Sequence, residues 1–269
     1  MNRRDFVAGT LGASVVPALA NADPSGSGAA EGPAAGQAQV LELRRYRFRQ
    51  GPMVGRYSEY AKNALVPALN RAGIKPVGAF SVSTGEETPG VYLLLPHPNA
   101  ESVVTLAGRL SADAEYQKAA ASFRALPFND PPYIRRESSL MIPFAGVPAV
   151  DVPTGPVAVP SRVFELRTYE SHNEAANLNK IEMFEKAGEI PLFHRVGLTP
   201  VFFGRNIAGS GLPSLTYMLV FANAAAMEKN WAAFRDDPEW LKIRTTPAYA
   251  DNVSNIHNVL LRPTDYSQI

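Results

Sequence analysis

The sequence predicts an α+β protein: two tandem ferredoxin-like βαββαβ units forming an intramolecular pseudo-dimeric α/β barrel. Three observations lead there. The chain repeats itself: IPLFHRVGLTPVFFG (residues 190–204) follows VPALNRAGIKPVGAF (residues 66–80), with Pro, Arg-x-Gly and Pro-Val at the same relative positions. Each copy passes through strand-like and helix-like stretches in the order β-α-β-β-α-β. A sheet of that topology carries helices on one face only, so the other face needs a cover, and a second copy in the same chain supplies it.

The elements follow in order. LELRRYRF (residues 41–48) pairs with FELRTYES (residues 164–171), and both alternate as strands do. Val54, Tyr57, Ala61, Ala64, Leu65 and Ala68 then recur at helical spacing. Pro67 and Pro191 fall late in that pattern and are expected to end or kink the helix. Residues 75–82 and 91–97 read as two strands about a Gly/Glu/Pro turn. VYLLLPHPNAESV from Val91 is set against TYMLVFANAAAME from Thr216, SADAEYQKA from Ser111 against RDDPEWLKI from Arg235, and SSLMIP against NVLLRP. The offset stays near about 120–125 residues, the mark of a duplicated unit.

Asn99 and Asn223 are predicted N-caps. Behind them Val103, Leu106 and Leu110, and in the second copy Met227, Trp231 and Phe234, form the buried stripe of a helix. The DDPEW string has a mechanical reading: Asp237 caps, Pro238 takes the first helical position, Glu239 suits the dipole and Trp240 anchors the helix. A last strand over residues 134–142 closes the first unit. The run Gly209-Ser210-Gly211-Leu212-Pro213 is a hairpin connection.

These elements divide the chain into units at 39–143 and 162–265, joined by a Pro-rich linker at 144–161. Residues 1–22 read as an export signal: Arg3 and Arg4, a short apolar run to Leu19, then Ala20-Asn21-Ala22 for a signal peptidase. Adjacent arginines ahead of a Phe resemble a twin-arginine signal, with the general secretory route as the alternative. The mature chain is expected in the periplasm or secreted. Residues 23–38, rich in Gly, Ala, Pro and Ser, read as a flexible linker.

Composition excludes several classes. There is no cysteine, which removes disulfides, thiolate catalysis and Cys-based metal sites. The formal net charge of +1 gives no basic footprint for nucleic acid. No later segment approaches the roughly 20 apolar residues of a membrane span. No phosphate loop, nucleophile elbow or zincin motif occurs, and the four histidines stand at no metal-binding spacing, so neither cofactor nor metal is expected.

FELRTYES, HRVGLTPVFFG, LTYMLVFANAAAMEKNWAAF and DDPEW together resemble a NIPSNAP domain. The match spans nearly all of the second half, and the first half is a more divergent copy, with SADAEY in place of DDPEW. The resemblance implies a dimeric α/β-barrel, ferredoxin-like fold. It implies no settled activity and no catalytic residues.

Candidate site residues come from the first strands. Strand alternation puts Glu42, Arg44 and Tyr46 on one face, and Glu165, Arg167 and Tyr169 on the equivalent face. Leu41, Leu43, Phe164 and Leu166 suit packing under the helices, which turns the polar triplets toward the space between the sheets. A Glu and an Arg two residues apart pair and leave guanidinium donors for an anionic or carbonyl-bearing ligand, beside an aromatic wall. The competing reading is a purely structural ion pair. Among the histidines, His257 is the candidate general base because the last strand carries it toward the cavity; His194 suits a helix C-terminus, and His97 and His172 are expected to face solvent. The expected function is binding of a small apolar or aromatic ligand between the sheets. The alternatives are a cofactor-free oxygenase or isomerase and an interaction scaffold with a filled core, and homo-oligomer formation stays open.

Overall fold

The computed structural model describes residues 39–84 and 87–269; the expected export signal and flexible linker lie outside the described residues. The first unit comprises β1 (Val40–Arg47), α1 (Met53–Tyr60), α2 (Val66–Arg71), β2 (Gly78–Thr84), β3 (Gly90–His97), α3 (Ala100–Ala112), α4 (Ala114–Ala119), α5 (Ala121–Arg124) and β4 (Arg135–Pro143). The second comprises β5 (Val163–Glu170), α6 (Glu174–Glu185), α7 (Glu189–Arg195), β6 (Thr199–Ala208), β7 (Ser214–Phe221), α8 (Ala224–Asp236), α9 (Pro238–Arg244) and β8 (Asn255–Pro263).

The strands form one closed barrel in the order β1-β3-β2-β8-β5-β7-β6-β4. Each unit keeps the ferredoxin-like order, with β1 between β3 and β4 and β5 between β7 and β8. Closure comes from the edges: β2 of the first unit pairs with β8, and β4 pairs with β6, all antiparallel. The two sheets therefore do more than face each other. Each satisfies the backbone groups that the other would leave bare at its edge.

Three apolar layers result. Leu41, Leu43, Phe80, Phe164, Leu166 and Leu261 belong to a core inside the barrel that draws on both units, with Val150 and Val157 of the connecting segment packed against it. Phe80 and Phe164, from different units, meet there at 4.7 Å between ring centroids. Two further cores, one per unit, lie between the sheet and its helices. Every residue of β3 and of β7 is buried, which is why those strands read as apolar runs and not as alternating ones.

Local signals act as their chemistry requires. Asn99 Oδ1 accepts from the Ser102 amide at 2.8 Å and Asn223 Oδ1 from the Ala226 amide at 2.9 Å. Asp237 accepts from the Glu239 amide, and its carboxylate also binds Arg195 at 2.8 Å. Gly209 and Gly211 take positive φ values of 131° and 66° in the β6–β7 connection, where a Cβ would be strained.

Two expectations need correction. Pro67 does not end its helix: a π-helical segment, Ala61–Leu65, precedes α2, and the wider turn absorbs the missing amide and the clash of the proline ring. In the second unit the helix does break, at Gly188 (φ 94°), and Pro191 falls inside α7. The alignment of Val91 with Thr216 is also one residue out. Leu43 pairs with Leu94 and Leu166 with Met218, so Thr216 corresponds to Tyr92. A one-residue slip reverses every facing, which is why Tyr92 faces the barrel interior and Tyr217 the helices.

A shared interior predicts coupling between the units. Phe80→Ala and Phe164→Ala should each cost about 3–5 kcal/mol, and the double variant should cost less than the sum by about 0.5–1.5 kcal/mol. Urea denaturation of the four proteins checks this; strict additivity would place the two rings in independent cores.

Candidate functional site

Both polar triplets lie on the helix side of the sheet, not between the sheets. Tyr46 belongs to the first sheet–helix core and Tyr169 to the second, while Leu41, Leu43, Phe164 and Leu166 fill the barrel. Alternation identifies the residues that share a face. It does not say which face, because both are buried here.

Glu42 is the centre of a buried polar cluster in the first unit. Arg44 binds it through Nε at 2.7 Å and Nη2 at 2.9 Å, His97 Nε2 lies 3.1 Å from its carboxylate, and Ser138 Oγ donates at 2.5 Å. Behind His97, Ser102 Oγ lies 3.1 Å from Nδ1 and accepts from Arg109 Nη2 at 2.8 Å. His97 is 0% exposed, against the expectation that it faces solvent; it shares the second carboxylate oxygen, Oε2, with Arg44 Nη2. Burial alone would raise the Glu42 carboxyl, but hydrogen bonds from His97, Arg44 and Ser138 outweigh it and hold the group well below the usual carboxylate range. Burial likewise opposes the charge on Arg44, and Glu42 more than compensates, so this guanidinium stays charged.

The fork to Glu42 leaves the Nη1 end of Arg44 for other partners. It lies along a crevice between β1 and the helices. Two adjoining cavities of about 290 and 320 Å³ share Arg44, Leu110, Tyr116, Arg124 and Arg136. The first is walled by Tyr46, Tyr60, Phe123 and Tyr133, and Tyr60 is fixed by a 2.8 Å hydroxyl contact to Tyr116 and by stacking on Phe123 at 4.0 Å. Glu42 is the one carboxylate among the described residues lining either cavity.

The second unit fills the equivalent space. Glu165 accepts from Arg167 Nη1 at 2.6 Å, from Trp231 Nε1 at 2.6 Å and from Asn258 at 3.4 Å. The Arg167 guanidinium lies 4.8 Å from the Trp231 ring centroid and 5.5 Å from that of Tyr169. With Asn99 and Asn223 as equivalent caps, Ala107 stands where the second unit has Trp231, and Tyr116 where it has Trp240. Ala107 lines the crevice. The difference of one indole separates a hollow copy from a solid one. Beneath the second copy, Lys180 and Glu189 form a buried 2.7 Å ion pair that lines neither of these two cavities, with the ammonium 4.3 Å from the Phe184 ring centroid.

His257 lies elsewhere. It stands on the barrel-facing side of β8, at the mouth of the barrel, with Nε2 3.1 Å from Glu170 Oε1. His172 and His194 are exposed. Among the described residues no group of three metal-ligating side chains occurs, and no helix is long and apolar enough to cross a membrane.

Fold and site together define a single-chain α/β barrel with an open sheet–helix crevice in its first unit. The sequence model of the NIPSNAP family matches it twice, at residues 41–145 and 164–268, and the chain belongs to that family. Among solved structures, it is similar to a monooxygenase candidate from Lactobacillus acidophilus NCFM, at 10% identity and a TM-score of 0.56, covering 84% of this chain and 94% of that one. An anthrone oxidase-like protein matches at 10% identity and a TM-score of 0.50, over 86% and 93% of the two chains. A NIPSNAP-like domain protein from Burkholderia xenovorans matches at 18% identity and a TM-score of 0.37, over 41% of this chain and 92% of its own. At such identities the likeness concerns the fold alone. No curated protein matches the sequence.

Arg124, Arg136, Tyr60, Tyr116 and Tyr133 escape a reading based on what the copies share. The signal for them lies in what the copies do not share, above all Ala107 against Trp231.

The Glu42 cluster carries a pH signature. Its folded-state pKa is depressed, so its stabilisation is complete above the unfolded value of about 4.3 and fades as pH falls toward the folded one. Glu42→Gln, which leaves Arg44 buried without its counter-charge, should cost about 3–5 kcal/mol at pH 7. That gap should narrow below about pH 4. Urea midpoints of both proteins from pH 7 down to 3 check this; a constant gap would mean that Glu42 is not ionised in the fold.

Proposed function

We propose that the protein binds a small aromatic molecule bearing an anionic group, such as an aromatic carboxylate, in the sheet–helix crevice of its first unit. The observation that carries this is the space left by Ala107 where the second copy places Trp231. That space adjoins three guanidiniums, from Arg44, Arg124 and Arg136, against a single carboxylate already saturated by its donors. The uncompensated positive charge calls for an anion, and guanidinium forks suit a carboxylate. The tyrosine and phenylalanine walls call for a ring, and the volume is at the lower end for small-molecule sites. Arg44 is pre-oriented by Glu42, and Glu42 by His97 and Ser138, so little ordering is left to occur on binding.

Binding is a better reading than proton-transfer catalysis. A general base needs a pKa near the working pH, and Glu42 is held far below it. His257, the other candidate, lines the barrel mouth and not the crevice. On the strength of the signal expected over residues 1–22, we place this binding outside the cytoplasm.

Calorimetric titration with benzoate and naphthoate tests the reading. Arg136→Gln should weaken binding by about tenfold or more, the worth of one charge-assisted hydrogen bond. Ala107→Trp should abolish it while leaving a folded protein, because the second unit already accommodates the indole at this position. Arg167→Ala, which lines none of the cavities described, should leave it unchanged. Full affinity in Ala107→Trp would exclude the crevice.

A further inference from the structure

The crevice of the first unit has two lobes of unlike chemistry. The cavity of about 290 Å³ presents rings: Tyr60, Phe123 and Tyr133 line it and do not line its neighbour. The cavity of about 320 Å³ presents aliphatic surface from Val103, Leu106 and Ala107 of α3, none of which lines the first. Residues common to both mark the boundary, and among them are the guanidiniums of Arg44, Arg124 and Arg136. Positive charge thus lies between the lobes and not at the far end of either.

Their partners sort these charges. Arg44 is committed to Glu42. Arg124 donates to the neutral Gln117 side-chain carbonyl, and the exposed Arg136 side chain has no hydrogen bond or ion pair among the described residues. The junction therefore holds two guanidiniums without a counter-charge, which suit a carboxylate. The aliphatic lobe differs. Its carboxylate, Glu42, repels a second negative charge, and its polar groups are engaged within the protein: Ser111 Oγ donates to the Ala107 carbonyl at 2.9 Å, and Gln117 Nε2 to that of Leu110 at 2.8 Å. What this lobe offers a ligand is apolar contact.

Resting on the reading that the crevice binds an aromatic anion, we infer that its ligand class is a branched arylalkyl carboxylate. The aromatic arm lies in the first lobe, an uncharged aliphatic arm lies in the second, and the carboxylate sits on the carbon between them, against Arg124 and Arg136. The two lobes together fall well within the volume range of small-molecule sites, whereas either alone stands at its lower limit. A ligand with its charge at one end fills one lobe and leaves the other wet.

Calorimetric titration of the full chain with 3-phenylpropanoate, each enantiomer of its 2-butyl derivative, and the isomer with the butyl group at the para position of the ring tests this. The two butyl compounds have the same atoms and differ only in where the chain is attached. One 2-butyl enantiomer should bind about tenfold or more tightly than either 3-phenylpropanoate or the para isomer, a gain that partial burial of the butyl chain supplies. Val103→Trp, which narrows only the aliphatic lobe, should remove that gain and leave the affinity for 3-phenylpropanoate unchanged. The isomer comparison uses the unaltered chain, so it decides even if Val103→Trp fails to fold. Equal affinity of the butyl isomers, tighter binding of the para isomer, or a 2-butyl gain that survives in Val103→Trp would overturn the inference and leave the crevice a site for simple aromatic anions. Binding of none of the probes would overturn it too, and benzoate and naphthoate then show whether the underlying reading falls with it.

Discussion

Everything in this molecule depends on the closure of one barrel by two half-sheets that neither half completes. A ferredoxin-like sheet with helices on one face leaves an apolar face and two bare edges. Here the apolar faces meet through Phe80, Phe164 and their neighbours, and the edges meet through the β2–β8 and β4–β6 ladders. The first contact is hydrophobic and non-directional; the second is hydrogen-bonded and fixes register. Together they hold both units in one frame, so that each sheet–helix layer rests on a rigid floor.

That shared frame explains how duplication yields asymmetry. Once the barrel interior supplies the common core, neither helix layer has to be solid. The second unit keeps Trp231 over its Glu165–Arg167 pair and becomes a packed buttress, with Lys180 and Glu189 buried beneath it. The first unit replaces that indole by Ala107 and assigns Glu42 different partners, His97 and Ser138, which keep the Arg44 fork in place without a lid above it. The same Glu-x-Arg-x-Tyr pattern is thus architecture in one copy and the floor of a crevice in the other.

The fold was legible because it is written twice. Repeated Pro, Arg-x-Gly and Pro-Val signals, capping asparagines and alternating strands each report local geometry, and local geometry repeated in order defines the topology. The Glu42–Arg44 and Glu165–Arg167 pairs were legible too, since two residues apart on a strand means the same face. Which face was not. A sheet buried on both sides has no polar side for the pattern to reveal, and the outcome turned on partners distant in sequence, such as His97, Ser138 and Trp231. Tyr92 and Tyr217 show the same limit: two tyrosines that align by eye stand on opposite faces, because strand register is decided by pairing across the sheet. The crevice arginines, Arg124 and Arg136, belong to no repeated motif, and only folding brings them beside Arg44.

Differential scanning calorimetry of the intact chain tests this account most directly. A barrel completed only by both units must lose its two halves together, which predicts a single transition with equal calorimetric and van't Hoff enthalpies. Two separable transitions, each accounting for about half of the total enthalpy, would contradict it.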